Sequence, residues 1–569
     1  MKGWAGRIIE IDLTDEKITE TKSDLSTLHY FIGGRGLGVK LYYDAVSTDI
    51  DPLGPENFLI FATGPLTGTG APMSGRHAMV SKSPLTGTIF GSSSGGFFGK
   101  ELKFAGIDAL LIKGASEEPS YISIENEKIE IHHAEQLWGE NVRACTDKLL
   151  SKGRVACIGR AGERLVPIAN VMNDYFHAAG RGGLGAVMGS KKLKAIVVKG
   201  DRRPSIADEA GFEEACQDAL RLLKSGSSKG LSTYGTSAMA SLMNYTKILP
   251  TGNFQRSEFS GMDKISGEFI KENYDIKGHA CYNCVVACKH IIKSGAMEGY
   301  EVPEYETLWA YGPDNNNADM DMIIRANRFC NDYGIDTISS GSTIAAYAEI
   351  MGEDMKELSG LVKKIGENEG IGKDLGKGSK TFAQSRGKDV AMHVKGLEIP
   401  GYDPRGVLGM AIAYATSNRG GCHLRAYTVA PEVLGRPEKV DRLTFSGKAG
   451  LVQVLQNASA SLDSLVLCKF VSFAISEREL ANLLSTATGV DYSTEKFLKC
   501  GERIWNLERL FNNKAGFSRK DDCLPERFFG NEGINRAEFE KALDEYYQLR
   551  GWDKNGVPTQ EKLKELNLA

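Results

Sequence analysis

Three cysteines form the densest group of chemistry-bearing residues in the chain. Cys281, Cys284 and Cys288 are separated by two and then three residues. Thiolates bind soft metals and iron–sulfur clusters, and a helix beginning after Cys284 would place Cys284 and Cys288 one turn apart on one face. We therefore expect a helical segment here and three thiolates that converge on one face of an iron–sulfur cluster.

A fourth cluster ligand has to come from elsewhere in the chain, and spacing alone does not identify it. The candidates are Cys330, Cys422, Cys468, Cys500 and Cys523. A structural zinc site is one alternative, but it would need a second pair of ligands, and the nearby His279 and His290 fit no standard zinc finger. Buried free thiols are the other alternative, since most lone cysteines are small buried hydrophobic residues.

Two glycine-rich segments have the composition of anion-binding loops. In residues 64–99, small and hydroxylated residues surround Arg76 and His77, and residues 177–194 contain the run Gly-Arg-Gly-Gly-Leu-Gly. Backbone N–H groups in such loops form nests for anions, and a fixed guanidinium adds paired donors. Tight turns within a compact β domain are the alternative for either loop alone. Two such loops in one region favour a large phosphorylated cofactor.

The elements that position these residues change in character along the chain. Six segments have the apolar pattern of strands: 7–13, 57–64, 107–114, 121–132 as a hairpin, 154–159 and 193–200. After Pro204, three segments carry apolar residues at helical spacing and end near glycine: 207–226, 319–334 and 342–366.

This pattern predicts an α+β, multidomain fold. Residues 1–203 form a β-rich domain, residues 204–395 a mainly helical domain with the cysteine motif, and residues 396–569 a second mainly helical domain. The second boundary is set by a Gly/Lys-rich stretch at 365–379 that is followed by 397–406. A chain of 569 residues is long enough for such domains and for burying a large cofactor between them.

Composition excludes several classes of function. Apolar residues make up 41% of the chain and no window approaches the roughly 18 uninterrupted apolar residues of a membrane span. The net charge of −4, with both signs interspersed, argues against nucleic-acid binding. The charged N-terminus lacks a secretory signal, and 11 cysteines, an odd number, argue against a disulfide framework. We expect a cytoplasmic protein with no membrane or nucleic-acid partner.

Several ordered motifs resemble the tungsten-containing aldehyde:ferredoxin oxidoreductase family across essentially the whole chain. The matching stretches are 31–41, 63–87, 178–196, 281–288, 303–307, 331–341, 417–427 and 463–470. The resemblance implies a β-rich first domain that forms the base for two pterins, and two helical domains that clamp them from above. It also implies an oxygen-sensitive enzyme with a tungsten bis-pterin, for which molybdenum is not excluded, at the domain interface.

The resemblance further implies which residues hold the cofactors. Cys468, which ends the pterin motif that contains Asp463 and Leu467, would be the fourth ligand of one [4Fe–4S] cluster. In the companion motif, Asp336 would bind the other pterin, together with Asn331, which stands where the family has an aspartate. Carboxylates suit pterin amino groups because they offer only acceptors.

Residues of the two glycine loops would bind the rest of the cofactor. Arg76 would lie between the cluster and a pterin, with His77 beside it. Mg²⁺ would bridge the two pterin phosphates, held by the loops around Ser93 and Gly182, since Mg²⁺ prefers oxygen ligands. The resemblance assigns further cofactor contacts to Gly95, Arg181, Gly182 and Gly183.

Glu306 and His423 match residues near the family's metal. Considered alone, Glu306 would be a solvated carboxylate and His423 a hydrogen-bonded core histidine; the resemblance makes both catalytic. The implied reaction converts an aldehyde and water to a carboxylic acid, two protons and two electrons. Glu306 would activate water, and His423 would hydrogen-bond the carbonyl oxygen. The electrons would pass by way of Arg76 and the cluster to a ferredoxin or a small iron–sulfur subunit.

Two other functions remain open from the sequence. One is a benzoyl-CoA reductase-like or carboxylic-acid-reducing catalytic subunit of the same family, and the other is a noncatalytic iron–sulfur electron carrier. A homodimer is compatible with the sequence, but without the bridging iron of some family members. Arg325 and Arg328 fall near the positions where the ligands of that bridging iron would lie, and guanidinium groups cannot ligate iron.

Overall fold

The N-terminal region of the computed structural model contains two six-stranded sheets. The structure describes residues 1–225, 228–530 and 533–569. The first sheet contains β1 (Arg7–Asp12), β2 (Lys17–Lys22), β3 (Leu59–Ala62), β4 (His77–Lys82), β5 (Ile89–Ser94) and β6 (Ala109–Lys113), in the order β2-β1-β6-β3-β4-β5. Its strands pair antiparallel except β1 with β6, which are parallel.

The second sheet follows directly in the chain. It contains β7 (Ser120–Glu125), β8 (Lys128–His133), β9 (Arg154–Cys157), β10 (Val171–Asn173), β11 (His177–Ala179) and β12 (Leu193–Lys199), in the order β11-β10-β9-β12-β7-β8. Here β7 and β12 form the parallel pair. Phe61 and Ile112 of the first sheet share one apolar core with Ile122 and Ile196 of the second, so the two sheets are held together by apolar burial.

Six short helices accompany the sheets. They are α1 (Leu25–Phe31), α2 (Gly34–Ala45), α3 (Phe98–Phe104), α4 (Val142–Leu149), α5 (Arg160–Glu163) and α6 (Leu184–Ser190). The segment after Gly183 starts a helix, as the sequence suggested. All six predicted strand segments are confirmed, but β2, β4, β5, β10 and β11 were not predicted. The sequence of β5, Ile-Phe-Gly-Ser-Ser-Ser, lacks the usual apolar alternation even though the strand is mostly buried.

The rest of the chain is mainly helical, as predicted. Its helices are α7 (Glu209–Ser225), α8 (Ser228–Tyr234), α9 (Ala238–Tyr245), α10 (Gly267–Asn273), α11 (Tyr305–Tyr311), α12 (Met320–Tyr333), α13 (Thr337–Met351), α14 (Leu358–Gly366), α15 (Gly372–Leu375), α16 (Ser379–Gln384), α17 (Leu408–Thr416), α18 (Val429–Glu432), α19 (Lys448–Leu465), α20 (Glu477–Thr488), α21 (Thr494–Lys514), α22 (Arg536–Arg550) and α23 (Gln560–Glu565). Two small hairpins interrupt them: β13 (Ile276–His279) with β14 (Lys289–Ile292), and β15 (His393–Val394) with β16 (Leu397–Glu398).

Two helix predictions need correction. The periodic stretch 342–366 is not one helix, because Gly352 caps α13 in the left-handed conformation (φ 70°) and α14 begins only at Leu358. The helix expected after Cys284 is absent, since the three cysteines lie in the loop of the β13–β14 hairpin. Gly226, which was expected to end the first helical segment, lies outside the described residues.

Side-chain caps fix the turn between α12 and α13. Asp319 accepts from the Met322 N–H at the start of α12, and Gly334 (φ 70°) ends this helix. Asp336 then accepts from the Ser339 N–H at the start of α13. The cap therefore holds the Asp336 carboxylate at a helix terminus that faces the N-terminal domain, where the Asp336 N–H donates to the Ile168 carbonyl (2.9 Å).

A large apolar core joins the helices, with Trp309 and Trp505 among its fully buried side chains. The last strand of the sheets ends at Lys199 and α7 begins at Glu209, on either side of the predicted boundary at residue 203. Both domain boundaries, at residues 203 and 395, stay predictions. Within the described ranges, no helix is both long enough and apolar enough to cross a membrane.

Candidate functional site

One loop brings the two groups of cysteines together. Met73 lies between them: its N–H donates to the carbonyl of Asn283 (2.8 Å), and its carbonyl accepts from the N–H of Cys468 (3.1 Å). The Asn283 side chain also donates to the Ala71 carbonyl (2.8 Å). The hairpin with the first three cysteines and the segment after α19 with Cys468 are thus held by the same backbone.

The four thiols act on one another electrostatically. Burial raises the pKa of Cys281 to about 11, and it also raises the pKa values of Cys284 and Cys288. Cys468 raises the pKa of each of these three thiols as well, and Cys284, Cys288 and Cys468 pack against the same apolar cluster. All eleven cysteines of the chain are free thiols.

Arg76 and Gly95 lie beside the four cysteines, on the side that faces the first sheet. The Arg76 guanidinium donates to the hydroxyl and the carbonyl of Ser93 (both 2.9 Å), and its Nη1 lies 3.8 Å from Sγ of Cys468. A Cβ added to Gly95 would lie 2.9 Å from Sγ of Cys281, so only glycine leaves room for this sulfur. The structure therefore brings Arg76, Ser93 and Gly95 together with the thiols.

The second glycine loop joins the N-terminal domain to the helical region. Arg181, Gly182 and Gly183 all have positive φ (69°, 69° and 76°). The Arg181 guanidinium donates to the carbonyls of Gly421 and Glu398 (both 2.8 Å) and lies 3.3 Å from the Asp336 carboxylate. Asp336 thus approaches this loop, as its predicted role requires.

Three buried arginines lie around Gly91, and the sequence reasoning did not single them out. Arg419 and Arg425 donate to the Gly91 carbonyl (2.7 and 2.6 Å). Arg35 forms two 2.7 Å hydrogen bonds with the Glu508 carboxylate. Burial lowers the pKa of Arg425 to about 9, and the neighbouring Arg35 and Arg419 contribute to this shift. The sequence did offer a signal for these arginines, because Arg35 lies in the glycine-rich segment 31–41, and Arg419 and Arg425 lie in the segment 417–427.

Asp463 is the anionic partner of this cationic group. It accepts from Arg425 (2.5 Å), Arg35 (3.2 Å) and Lys469 (3.2 Å). Burial alone would raise the pKa of Asp463, but the three cations together hold it below its usual value. The α19 helix that carries Asp463 ends in a left-handed Val466 (φ 64°), packed closely against Gly34.

Glu306 and His423 are brought together from distant parts of the chain. Glu306 lies in α11 and His423 in a short 3₁₀ turn, and their side chains are 16% and 12% exposed. The N–H of Gly401 donates to Oε2 of Glu306 (3.0 Å). Oε1 of Glu306 and Nδ1 of His423 are buried without a hydrogen-bond partner among the described residues. Such orphaned polar atoms are costly unless another group binds there.

Burial controls the protonation of this pair. It raises the pKa of Glu306 to about 8 and lowers the pKa of His423 well below its usual value, so the imidazole is neutral. Tyr402 and Tyr427 lie beside His423, with ring centroids 5.4 and 6.1 Å from its ring. The two tyrosine hydroxyls are 3.1 Å apart. Two aromatic rings therefore pack against the His423 side chain.

The surroundings of His77, Asn331 and Leu467 differ from one another, and the cofactor roles of these three residues stay predictions. His77 packs between Phe61 and Phe98, and its ring nitrogens have no partner in the described part of the chain. Asn331 donates to the Glu301 carboxylate (2.8 Å) and not to the group formed by Asp463 and its three cations. Leu467 lies buried in an apolar cluster. Burial lowers the pKa of His77 to about 3, so the uncharged ring gives no electrostatic support for phosphate binding.

Two family models together match nearly the whole chain, with a short unmatched stretch between them. The model described as aldehyde ferredoxin oxidoreductase, N-terminal domain, matches residues 8–200. The model described as aldehyde ferredoxin oxidoreductase, domains 2 & 3, matches residues 214–568.

Individual relatives match over the full length. The chain is 40% identical over 602 residues to the tungsten-containing aldehyde ferredoxin oxidoreductase of Pyrococcus furiosus, with 100% of both chains covered. It is 30% identical to the WOR-like subunit of an aliphatic sulfonate oxidoreductase from the same organism, covering 100% of this chain and 98% of that one. Among solved structures, the active-site complex BamBC of benzoyl coenzyme A reductase with 1,5-dienoyl-CoA matches with a TM-score of 0.86 and 25% identity, covering 100% of this chain and 97% of that one.

Proposed function

Because this chain belongs to the aldehyde ferredoxin oxidoreductase family and is therefore an oxidoreductase, we propose that it oxidises aldehydes to carboxylic acids and passes the electrons to a ferredoxin. The observation that carries the proposal is the Glu306–His423 pair, which combines a carboxyl of raised pKa with a neutral imidazole. Groups with such tuned pKa values suit proton transfer near neutral pH.

The residues present fit a tungsten bis-pterin. Arg35, Arg419 and Arg425 supply a buried excess of hydrogen-bond donors, and Nε of Arg419 is buried without a partner among the described residues. Asp463 and Asp336 offer acceptors for pterin amino groups. When bound, the tungsten centre would supply a two-electron acceptor beside the substrate carbon. We assign the pterin phosphates and a bridging Mg²⁺ to the loops around Ser93 and Gly182, where oxygen ligands are available.

We assign one [4Fe–4S] cluster to Cys281, Cys284, Cys288 and Cys468. Iron–sulfur clusters take four thiolate ligands, and Met73 joins the loop that carries the first three cysteines to the backbone of Cys468. Binding would release protons, because the buried thiols have raised pKa values.

The chain's own residues would perform the proton chemistry. Above its pKa of about 8, Glu306 is a carboxylate and removes a proton from water as the water attacks the substrate carbonyl carbon. Neutral His423 carries one ring N–H, which donates to the carbonyl oxygen where negative charge develops. Tyr402 and Tyr427 exclude bulk water from this step.

A second candidate is a benzoyl-CoA reductase-like activity, favoured by the likeness to the reductase complex. Carboxylic-acid reduction would use the same residues in reverse. A noncatalytic electron carrier is disfavoured because a carrier needs neither Glu306 nor His423 in this environment. For assembly, we propose a ferredoxin or small iron–sulfur subunit as the electron acceptor, and no iron bridge between copies, since Arg325 is exposed and Arg328 pairs with Asp332 (2.7 Å).

The deciding experiment is elemental analysis of anaerobically purified protein together with a viologen-linked screen of aldehydes. We expect about four irons and one tungsten per chain, in line with one four-thiolate cluster, and reduction of the dye by aldehydes. Zinc in place of iron would refute the cluster. Dye reduction by a cyclic dienoyl-CoA but by no aldehyde would favour the second candidate.

A further inference from the structure

A buried ion pair connects the thiol loop to the helix that carries Glu306. Lys289 follows Cys288 directly and begins β14. Its Nζ lies 3.0 Å from Oε1 of Glu304 and also forms an ion pair with Glu301. The Lys289 and Glu301 side chains are only 14% and 4% exposed, so bulk water screens the pair weakly.

Glu304 in turn is the N-cap residue of α11, two residues before Glu306. The Thr236 hydroxyl donates to the Glu304 carboxylate and accepts from the Tyr305 N–H (2.8 Å). The backbones are joined as well, because the Val302 N–H donates to the His290 carbonyl (2.9 Å). The thiol loop and the start of α11 therefore form one connected unit.

Polar side chains complete this unit from α12. Asn331 donates to the Glu301 carboxylate (2.8 Å), and the Asn327 side chain donates to the Glu301 carbonyl (3.2 Å). The position at which the sequence predicted a pterin contact is thus used to hold Glu301. A buried charge network in which each member has a partner keeps a defined geometry.

Both charges of the pair lie beside Cys288. Lys289 is the next residue in the chain, and Glu304 is bound by Thr236, whose neighbour Gly235 packs against the Cys288 carbonyl, 2.9 Å from where its Cβ would be. Reducing an iron–sulfur cluster by one electron makes it more negative. A nearby cation therefore favours reduction, and a nearby anion opposes it.

We propose that Lys289 and Glu304 are positioning residues that set the reduction potential of the cluster bound through Cys288, with Lys289 raising it and Glu304 lowering it. This inference rests on the proposed cluster. It concerns the electrostatic effect of the two side chains on the cluster bound at Cys288. Neither side chain is a cluster ligand, and neither contacts substrate. Because Glu304 also immediately precedes α11, the potential and the placement of Glu306 depend on the same side chain.

The test is an anaerobic redox titration followed by electron paramagnetic resonance, with iron and acid-labile sulfide measured on each sample. Lys289→Gln is expected to lower the equilibrium constant for one-electron reduction about tenfold, which is a midpoint about 59 mV more negative. Glu304→Gln is expected to shift the midpoint in the opposite direction. Lys289→Arg keeps the charge and is expected to retain the parental midpoint.

Lys293→Gln is the matched control, since Lys293 lies four residues further on, is 44% exposed and pairs with Asp275 at the surface. Shifts of opposite sign for the two variants, beyond that of the control, support the proposal. Shifts of the same sign, or none, overturn it. Should Lys289→Gln fail to hold a cluster, Glu304→Gln decides alone by the sign of its shift. Absence of iron and sulfide from the parent protein would instead refute the proposed cluster itself.

Discussion

Oε1 of Glu306 lies 3.6 Å from Nε2 of His423, although the two residues come from α11 and from a turn more than a hundred residues later. The distance is slightly too long for a direct hydrogen bond, so the two polar atoms are near each other without being paired. A site with two such groups can accept a reacting molecule without first breaking an internal bond.

Replacing either member of this pair should separate catalysis from cofactor binding. We expect Glu306→Gln and His423→Asn to retain the parental metal content and to lose aldehyde oxidation by a factor of about 10² or more, the usual scale for acid–base groups. Viologen-linked rates and elemental analysis of the same preparations measure both effects. Parental turnover in both variants would show that neither residue has the assigned role.

The raised pKa of Glu306 predicts the pH dependence of the reaction. The carboxyl is protonated below about pH 8 and cannot act as a base there. kcat/KM is therefore expected to rise about tenfold per pH unit up to about pH 8 and then to level off. The residual activity of Glu306→Gln should lack this step. A parental profile that is flat between pH 6 and pH 9 would contradict the assignment of Glu306 as the base.

Gly95→Ala tests the packing around the proposed cluster. The added methyl would lie 2.9 Å from Sγ of Cys281, and Gly95 does not have a positive φ, so the effect is steric. We expect chelators to strip iron about tenfold faster, the lower end of the usual effect of residues that support metal ligands. Gly230→Ala, where an added Cβ meets nothing within 4 Å among the described residues, is the control. Equal rates of iron loss in the two variants would mean that the Cys281 sulfur is not held as described.

Chelation should leave the oligomeric state unchanged. Arg325 and Arg328 cannot ligate iron, because guanidinium groups have no acceptor lone pair at any ordinary pH. Any dimer therefore depends on ordinary packing over an interface of roughly 1,200 Å² or more. Light scattering before and after EDTA treatment measures the mass. Dissociation into monomers on chelation would reveal a bridging metal that this α12 sequence does not predict.

The apolar strands could be predicted from sequence because burial on a sheet leaves a direct pattern. The strand from Ile89 to Ser94 could not, since its small and hydroxylated residues are buried by neighbouring loops rather than by their own apolarity. The helix expected after Cys284 failed for a related reason. Asn283 and Ala287 adopt positive φ (both 48°). The Asn283 side chain donates to the carbonyls of Gly70 and Ala71, and helical spacing of cysteines carries no information about such contacts.

The roles of the candidate site residues stay predictions. The structure places Glu306 near His423 and pairs Arg76 with Ser93, two relationships that these roles can use. The ion pairs Arg35–Glu508 and Arg425–Asp463 were not foreseen, because their partners lie hundreds or tens of residues away and only folding reveals them. Asn331 looked like a pterin contact by motif, whereas its amide holds Glu301.

The arrangement of the four cysteines has a topological consequence. Three lie in one hairpin loop and the fourth follows α19, so a group that bridges their sulfurs would close a loop through about half of the helical region, from β14 to α19. Like any cross-link between distant positions, it would reduce the entropy of the unfolded chain and so favour the folded one. Oxidative loss of such a group would therefore loosen the architecture as well as end the chemistry.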